Sequence, residues 1–235
     1  MDLKEQHPSL GHRHPWELAR TKYLLGIVQQ YQRDSDLILD IGSGDNFFNQ
    51  HLSNYQHLYA VDTAYPPTNV LAQGKQTYTP DLTQVPDQMD IILALDVLEH
   101  QADDRVFLAQ LKAKLKPGGK LLITVPAHPA LYSGHDRFLG HYRRYTAQRI
   151  PQLAQELGLS MIMAHSFFWS LYLWRRWWHP AKMPRMTQTA LWQWPRHHLI
   201  TQMVLSGLRL DLAIGTALRR WIELPGLSLV YVLTI

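Results

Sequence analysis

Two stretches of this chain concentrate side chains that could do chemistry. The first is Leu39-Asp40-Ile41-Gly42-Ser43-Gly44-Asp45-Asn46, where two glycines close an apolar run. Glycines there let a strand turn sharply toward a helix, so that backbone amides can face a ligand at close range. Asp40, just before them, would gain nothing beside a pyrophosphate, but it would attract a ligand carrying an ammonium group. Asp62 lies 22 residues further on, at the end of a second apolar run, where a carboxylate can accept from both hydroxyls of a ribose. The second stretch is LYSGHDRFLGHYRRYT (131–146), dense in acid–base and hydrogen-bonding groups. His135 or His141 is the candidate general base, with Asp136 orienting it, and Arg143 or Arg144 would take an anionic group. Tyr132 and Tyr145 are the further candidates for holding a substrate. A plainer reading stays open, in which Asp136, Arg143 and Arg144 pair with one another simply to fold the loop. The separation of His135 from His141 matches no helical pair of ligands, so no metal is expected.

Alternating strands and helices must position these groups. Residues 15–33 open on Pro15 and carry apolar residues at helical spacing, which predicts an amphipathic N-terminal helix. LILDIG (37–42) and HLYAVD (57–62) read as buried parallel strands, with a helix over 47–52 between them. Pro66, Pro67 and Gly74 leave room only for a shortened crossover. Strands are expected at 76–82, 89–100 and 120–127, and a helix over 102–115 ends at Pro117-Gly118-Gly119. A helix over about 146–157, a strand at 159–168, a helical segment over about 197–221 and a terminal strand at 227–235 complete the pattern. Such alternation implies a parallel sheet covered on both faces.

Asp40-Ile41-Gly42-Ser43-Gly44, Asp62 and Leu95-Asp96-Val97-Leu98-Glu99-His100 together resemble a class I S-adenosylmethionine-dependent methyltransferase, as does LKPGGKLLITVP (115–126) leading into the fifth strand. The resemblance implies a Rossmann-like α/β fold with seven mostly parallel strands in the order 3-2-1-4-5-7-6. The resemblance covers residues 15–165 and the terminal strand. The residue pattern divides the chain as a single domain over 1–235, with the N-terminal helix at 15–33, the cofactor-binding core at 34–166, a helical, Trp-rich insertion or lid at 167–222, and the last strand at 223–235. The resemblance also implies that Gly42 and Gly44 pack against the methionine part of S-adenosylmethionine, that Asp40 holds its ammonium and that Asp62 takes the ribose. Asp81 and the Leu82 amide would read the adenine edge, and Leu95 with Asp96 would line the methionine end. Asn46 departs from the family, which usually has a third glycine there; asparagine tolerates unusual backbone. A bacterial subgroup carries a similar loop, matched here by Ser133, His135, Asp136, Gly140, His141, Arg143, Arg144 and Tyr145.

Composition removes several alternatives. The chain has 235 residues and no cysteine, which excludes disulfides, cysteine-ligated zinc, iron–sulfur chemistry and a thiol nucleophile. Without a cysteine, covalent methylation of pyrimidine carbon 5 is also excluded. Methylation of nucleobase amines calls for an Asn/Asp-Pro-Pro-aromatic tetrad where this chain reads Asp96-Val97-Leu98-Glu99. The net charge is +4, but residues 166–235 hold eight Lys/Arg against Asp211 and Glu223, leaving the first 165 residues slightly acidic. A small-molecule or lipid-linked acceptor, methylated at oxygen, is therefore expected, with nucleic acid set aside. The alternatives are an RNA methyltransferase that uses the basic tail and a non-catalytic binding module. Trp169, Trp174, Trp177 and Trp178 surround Arg175 and Arg176, and Trp192 and Trp194 follow. That mixture suits a substrate lid, a peripheral membrane contact or a dimer face. With no signal-like N-terminus and no run of roughly 18 apolar residues, a cytoplasmic location is expected, with peripheral contact at the inner membrane surface as the tail's alternative.

Overall fold

The computed structural model describes residues 13–66, 71–177 and 198–235 of the chain. Its sheet forms because β1 (Leu37–Ile41), β2 (His57–Val61), β5 (Met89–Leu95), β6 (Leu115–Pro126) and β8 (Ser228–Thr234) are apolar on both faces. Period-two alternation then sends neighbouring side chains to opposite layers. Leu39, Ile92, Ile123 and Tyr231 go to one side with Phe107, Leu108 and Leu111 of α2 (Asp104–Lys114) and Ile150 and Leu153 of α4 (Arg149–Glu156). Ile38, Ile91, Leu93, Leu122 and Val230 go to the other, under Leu24 and Ile27 of α1 (Pro15–Val28) and Leu205, Leu208 and Leu212 of α6 (His198–Leu218).

With β3 (Leu71–Gln73), β4 (Gln76–Thr79) and β7 (Ser160–Phe167), the strand order is β3-β4-β2-β1-β5-β6-β8-β7. Leaving out the short edge strand β3, this is the expected 3-2-1-4-5-7-6 arrangement. β2, β1, β5 and β6 run parallel, whereas β8 is antiparallel to both β6 and β7. All the parallel strands therefore end at one edge, and the glycine turn and the loop after β6 meet there.

The structure corrects several local expectations. The helix expected over 47–52 is a single 3-10 turn, Asn49–His51. Between β2 and β4 the described residues contain β3, antiparallel to β4, and no helix. The first helix stops at Val28, short of residue 33, and the strand expected at 76–82 stops at Thr79. Among the described residues, the segment read as an insertion contributes α5 (Trp169–Trp177) and α6, and α6 is part of the core layer that covers the sheet beside α1. Trp178, Trp192 and Trp194 lie outside the described residues. Among the described residues no helix is long and apolar enough to cross a membrane.

Candidate active site

The turn after β1 is built from the residues its sequence suggested, but its amides are used differently. Gly42 and Gly44 have φ of +73° and +57°, a region other side chains rarely enter. A Cβ on Gly42 would also come within 2.5 Å of a Val97 methyl, so the glycine keeps the turn pressed against the end of β5. The Gly42 and Ser43 amides donate to the Val61 carbonyl at 2.7 and 3.1 Å, and the Gly44 amide donates to Asp62 Oδ2 at 2.8 Å. These amides lock the turn to β2 rather than facing a ligand. Asn46 sits at φ +64°, filling a left-handed position where the resembled family has glycine.

Asp62 receives the Ala64 amide on its other oxygen at 2.9 Å, so both carboxylate oxygens are held by backbone amides. Tyr65 returns to the same turn, its hydroxyl 2.8 Å from Ser43 Oγ and donating to the Gly44 carbonyl at 3.1 Å. Burial, with Asp62 and Asp40 nearby, pushes that phenol up to about 12. Asp40 is 3% exposed. Burial raises its pKa to about 7, with Asp62 adding to the rise and Asn49 and Arg20 opposing it. Asp81 stands apart at the exposed rim beyond β4, where it caps a 3-10 turn by accepting the Thr83 amide at 2.8 Å. That hydrogen bond lowers its pKa. Leu82 begins the same turn.

Past β5 the chain bends at Asp96, another left-handed residue with φ +57°. Its carboxylate pairs with Arg20 of α1 at 2.8 Å and accepts from the Thr124 hydroxyl of β6 at 2.8 Å. Burial would raise its pKa, but Arg20 and Thr124 outweigh that and hold it below the ordinary value. Leu95, just before it, is buried. Glu99 follows in a 3-10 turn (Leu98–His100), and burial beside Asp96 pushes its carboxyl well above the usual range.

Asp136 is the hub of the second stretch. It is fully buried near the start of α3 (Gly134–Leu139) and accepts from the Ser133 amide at 2.8 Å and the Ser133 hydroxyl at 3.0 Å. Its other oxygen takes Arg144 Nε at 2.7 Å and faces His141 Nδ1 at 3.3 Å. Burial opposes ionisation, yet His141, Arg144 and the Ser133 amide together hold Asp136 far below the usual carboxylate range. Tyr132 donates to the His141 carbonyl at 2.7 Å, and the Tyr142 amide donates to the Glu99 carbonyl at 2.7 Å. The loop is thus stitched to the end of β5, and the His141 ring meets that of His100 edge-on at 4.7 Å.

The structure therefore gathers Asp40, Asp62, Asp96, Asp136 and His141 along one edge and leaves Asp81 at its rim. His135 is half-buried on α3, whereas the carboxylate expected to orient a base is shared by His141 and Arg144. Arg143 is used elsewhere, donating to the Ala102 carbonyl at 2.6 Å and pairing with Asp104 at 3.5 Å. Arg144 is buried and also donates to the Ala127 carbonyl at 3.3 Å, while Tyr145 is 1% exposed beneath it. Three groups at this edge had no place in the site read from the sequence. Arg20 is charged on the apolar face of α1, a mismatch that could have marked it. Glu99 follows the buried Val97 and Leu98. Arg175 of α5 donates to Ser133 Oγ at 3.0 Å, bringing the Trp-rich segment onto the loop. Burial, and then Arg144 nearby, lowers its pKa.

Comparison with known proteins supplies the context. The methyltransferase-domain family matches residues 16–211. A ubiquinone biosynthesis O-methyltransferase of Aeromonas salmonicida (strain A449) is 29% identical over 108 residues, which is 40% of this chain and 45% of that protein, less than half its length. The fold is shared with an S-adenosylmethionine-dependent methyltransferase from Archaeoglobus fulgidus (TM-score 0.54, 17% identity, 94% of each chain). It is shared too with Haemonchus contortus phosphoethanolamine N-methyltransferase 2 in complex with S-adenosylmethionine (TM-score 0.56, 17% identity, 93% of this chain and 52% of that one).

Proposed function

Because the chain belongs to the methyltransferase-domain family and is an S-adenosylmethionine-dependent methyltransferase, we propose that it methylates a hydroxyl oxygen of an apolar or lipid-linked small molecule. The glycine turn suits the cofactor, since its left-handed backbone, with Gly42 packed directly against Val97, lets the chain turn tightly at the strand ends where the cofactor would lie. Asp40 suits it as well: a buried carboxyl with a pKa near 7 regains its charge beside an ammonium group. Asp62 keeps lone pairs for ribose hydroxyls after accepting two amides. We assign Asp81 and the Leu82 amide to the adenine edge, and Leu95 and Asp96 to the methionine end. Bound S-adenosylmethionine supplies an electrophilic methyl group on a sulfonium.

What remains for the protein is to place the acceptor, exclude water and remove a proton. The observation that carries the reading is the Asp136–His141 pair. Asp136 accepts from His141 Nδ1, so Nε2 presents its lone pair. As the acceptor oxygen takes the methyl group, its proton passes to Nε2. Arg175, over the same loop, would hold an anionic part of the acceptor. A lipid-linked acceptor also accounts for the exposed aromatics of the tail: Trp174, Trp177 and Trp221 are 64%, 88% and 78% exposed, and Arg176 and Arg220 are their neighbours in sequence. We assign these side chains to an anionic lipid surface.

Transfer of labelled methyl groups to a metabolite and lipid extract tests the function. Once an acceptor is found, His141→Ala should lower kcat by roughly a hundredfold or more, with the affinity for S-adenosylhomocysteine unchanged. His135→Ala should keep most of the turnover. Equal losses of turnover and cofactor affinity in His141→Ala would defeat the base assignment.

A further inference from the structure

The turn after β5 holds a buried carboxyl for which methyl transfer has no use. Glu99 is 1% exposed, and neither of its carboxyl oxygens has a hydrogen-bond partner among the described residues. A buried carboxyl left in that state costs free energy that evolution rarely leaves without a purpose. Beside it are His100, next along the same 3-10 turn, and His141, brought in from the other side of the site. One ligand-capable atom from each of the three lies within 4.8 Å of those of the other two. The Tyr142 amide, donating to the Glu99 carbonyl at 2.7 Å, fastens His141's segment to the turn and so fixes the grouping.

We propose that Glu99, His100 and His141 hold one divalent cation of the zinc class. Two imidazoles and a carboxylate are a donor set such a cation accepts, leaving a fourth position open. Bonds of about 2.0–2.2 Å put tetrahedral donors about 3.4 Å apart, so the three groups need close in by little more than 1 Å. The surroundings are those of a metal-bound imidazole. His141 Nδ1 faces the buried Asp136 at 3.3 Å, so the ring is oriented by a carboxylate behind it while Nε2 is offered to the cation. The cation would take the same Nε2 lone pair that receives the acceptor's proton, so occupancy and methyl transfer exclude one another. That last step rests on the hydroxyl-methylation reading; the binding itself does not.

The test begins with chelator-treated full-length protein titrated with zinc chloride by calorimetry. Cobalt(II) serves as a second probe, because its visible absorption reports coordination number. One cation per chain is expected, with a four-coordinate cobalt spectrum. Glu99→Gln and His100→Ala should each weaken binding by at least about tenfold, and Asp136→Asn by about ten- to a hundredfold. Undiminished affinity for S-adenosylhomocysteine shows that the variants are folded. No zinc binding by the wild type up to millimolar concentration overturns the proposal. So does equal binding by wild type, Glu99→Gln and His100→Ala, since the ion would then sit on surface histidines. Zinc should also suppress methyl transfer by the wild type, and a chelator should restore it. Zinc that binds at these residues but leaves transfer untouched would overturn the exclusion. Should no methyl acceptor exist, the titration still decides the cation site.

Discussion

Asp40, one residue before the end of β1, has 3% of its surface exposed and a carboxyl raised from 3.8 to about 7, chiefly by burial. The folded protein therefore keeps this proton to a higher pH than the unfolded chain does. Between about pH 4 and pH 7 the unfolded chain binds fewer protons, so stability falls as pH rises through that window and then levels off. About three pKa units at roughly 1.4 kcal/mol each set a ceiling of about 4 kcal/mol on the cost at pH 8. Asp40→Asn keeps the shape and removes the titration. The ligand-free variant should be more stable than wild type by about 2–4 kcal/mol at pH 8, a rise of about 5–15 °C in Tm for a chain of this size. The gap should close toward pH 4, where both forms are neutral. Cofactor binding should move the other way. Wild-type affinity for S-adenosylhomocysteine should fall close to tenfold for each pH unit below about 7, because the ammonium needs the ionised carboxylate, while the variant binds weakly at every pH. Urea denaturation and calorimetry across pH 4–8 measure both quantities. A variant less stable than wild type at pH 8, or a stability gap unchanged by acid, would refute the reasoning.

Arg20→Met should destabilise the fold by about 2–3 kcal/mol in urea, by leaving Asp96 beside Glu99 without its cation. This lies below the cost of breaking a fully buried pair because the Asp96 side chain is 26% exposed; Asp96→Asn in the same chain should recover part of the loss, and a change under about 1 kcal/mol would contradict the pairing. Vesicles containing anionic lipid should pellet the protein, less so at high salt, and neutral vesicles should not. Arg176→Glu with Arg220→Glu should weaken that binding at least tenfold, at about 1 kcal/mol for each basic residue lost, and unchanged pelleting would remove the lipid surface from consideration. Arg175 is left out of this pair because its side chain is engaged with Ser133.

Much of the fold was legible along the chain, because burial on both faces of a parallel sheet leaves short, continuous apolar runs between glycine and proline stops. LILDI, MDIILAL and the terminal SLVYVLT could hardly be anything but interior strands. Gly42, Gly44 and Asp62 were readable for a similar reason, since a turn between adjacent strands is settled by nearby residues. Where local pattern was weak, the expectations missed. Phe47 to Leu52 has the composition of a helix, but it ends in a single turn after left-handed Asn46. Which histidine and which arginine Asp136 meets was not legible. His135 and His141 look alike in sequence, and Arg143 and Arg144 are neighbours. Yet Asp136 takes His141 and Arg144, while Arg143 turns away to Asp104 at the start of α2. Arg20 reaches Asp96 and Thr124 only because α1 lies across the sheet above the ends of β5 and β6. Buried polar groups must find partners, and the sequence shows which groups need them. Which partner each one meets depends on how distant segments are packed together, and only the tertiary structure decides that.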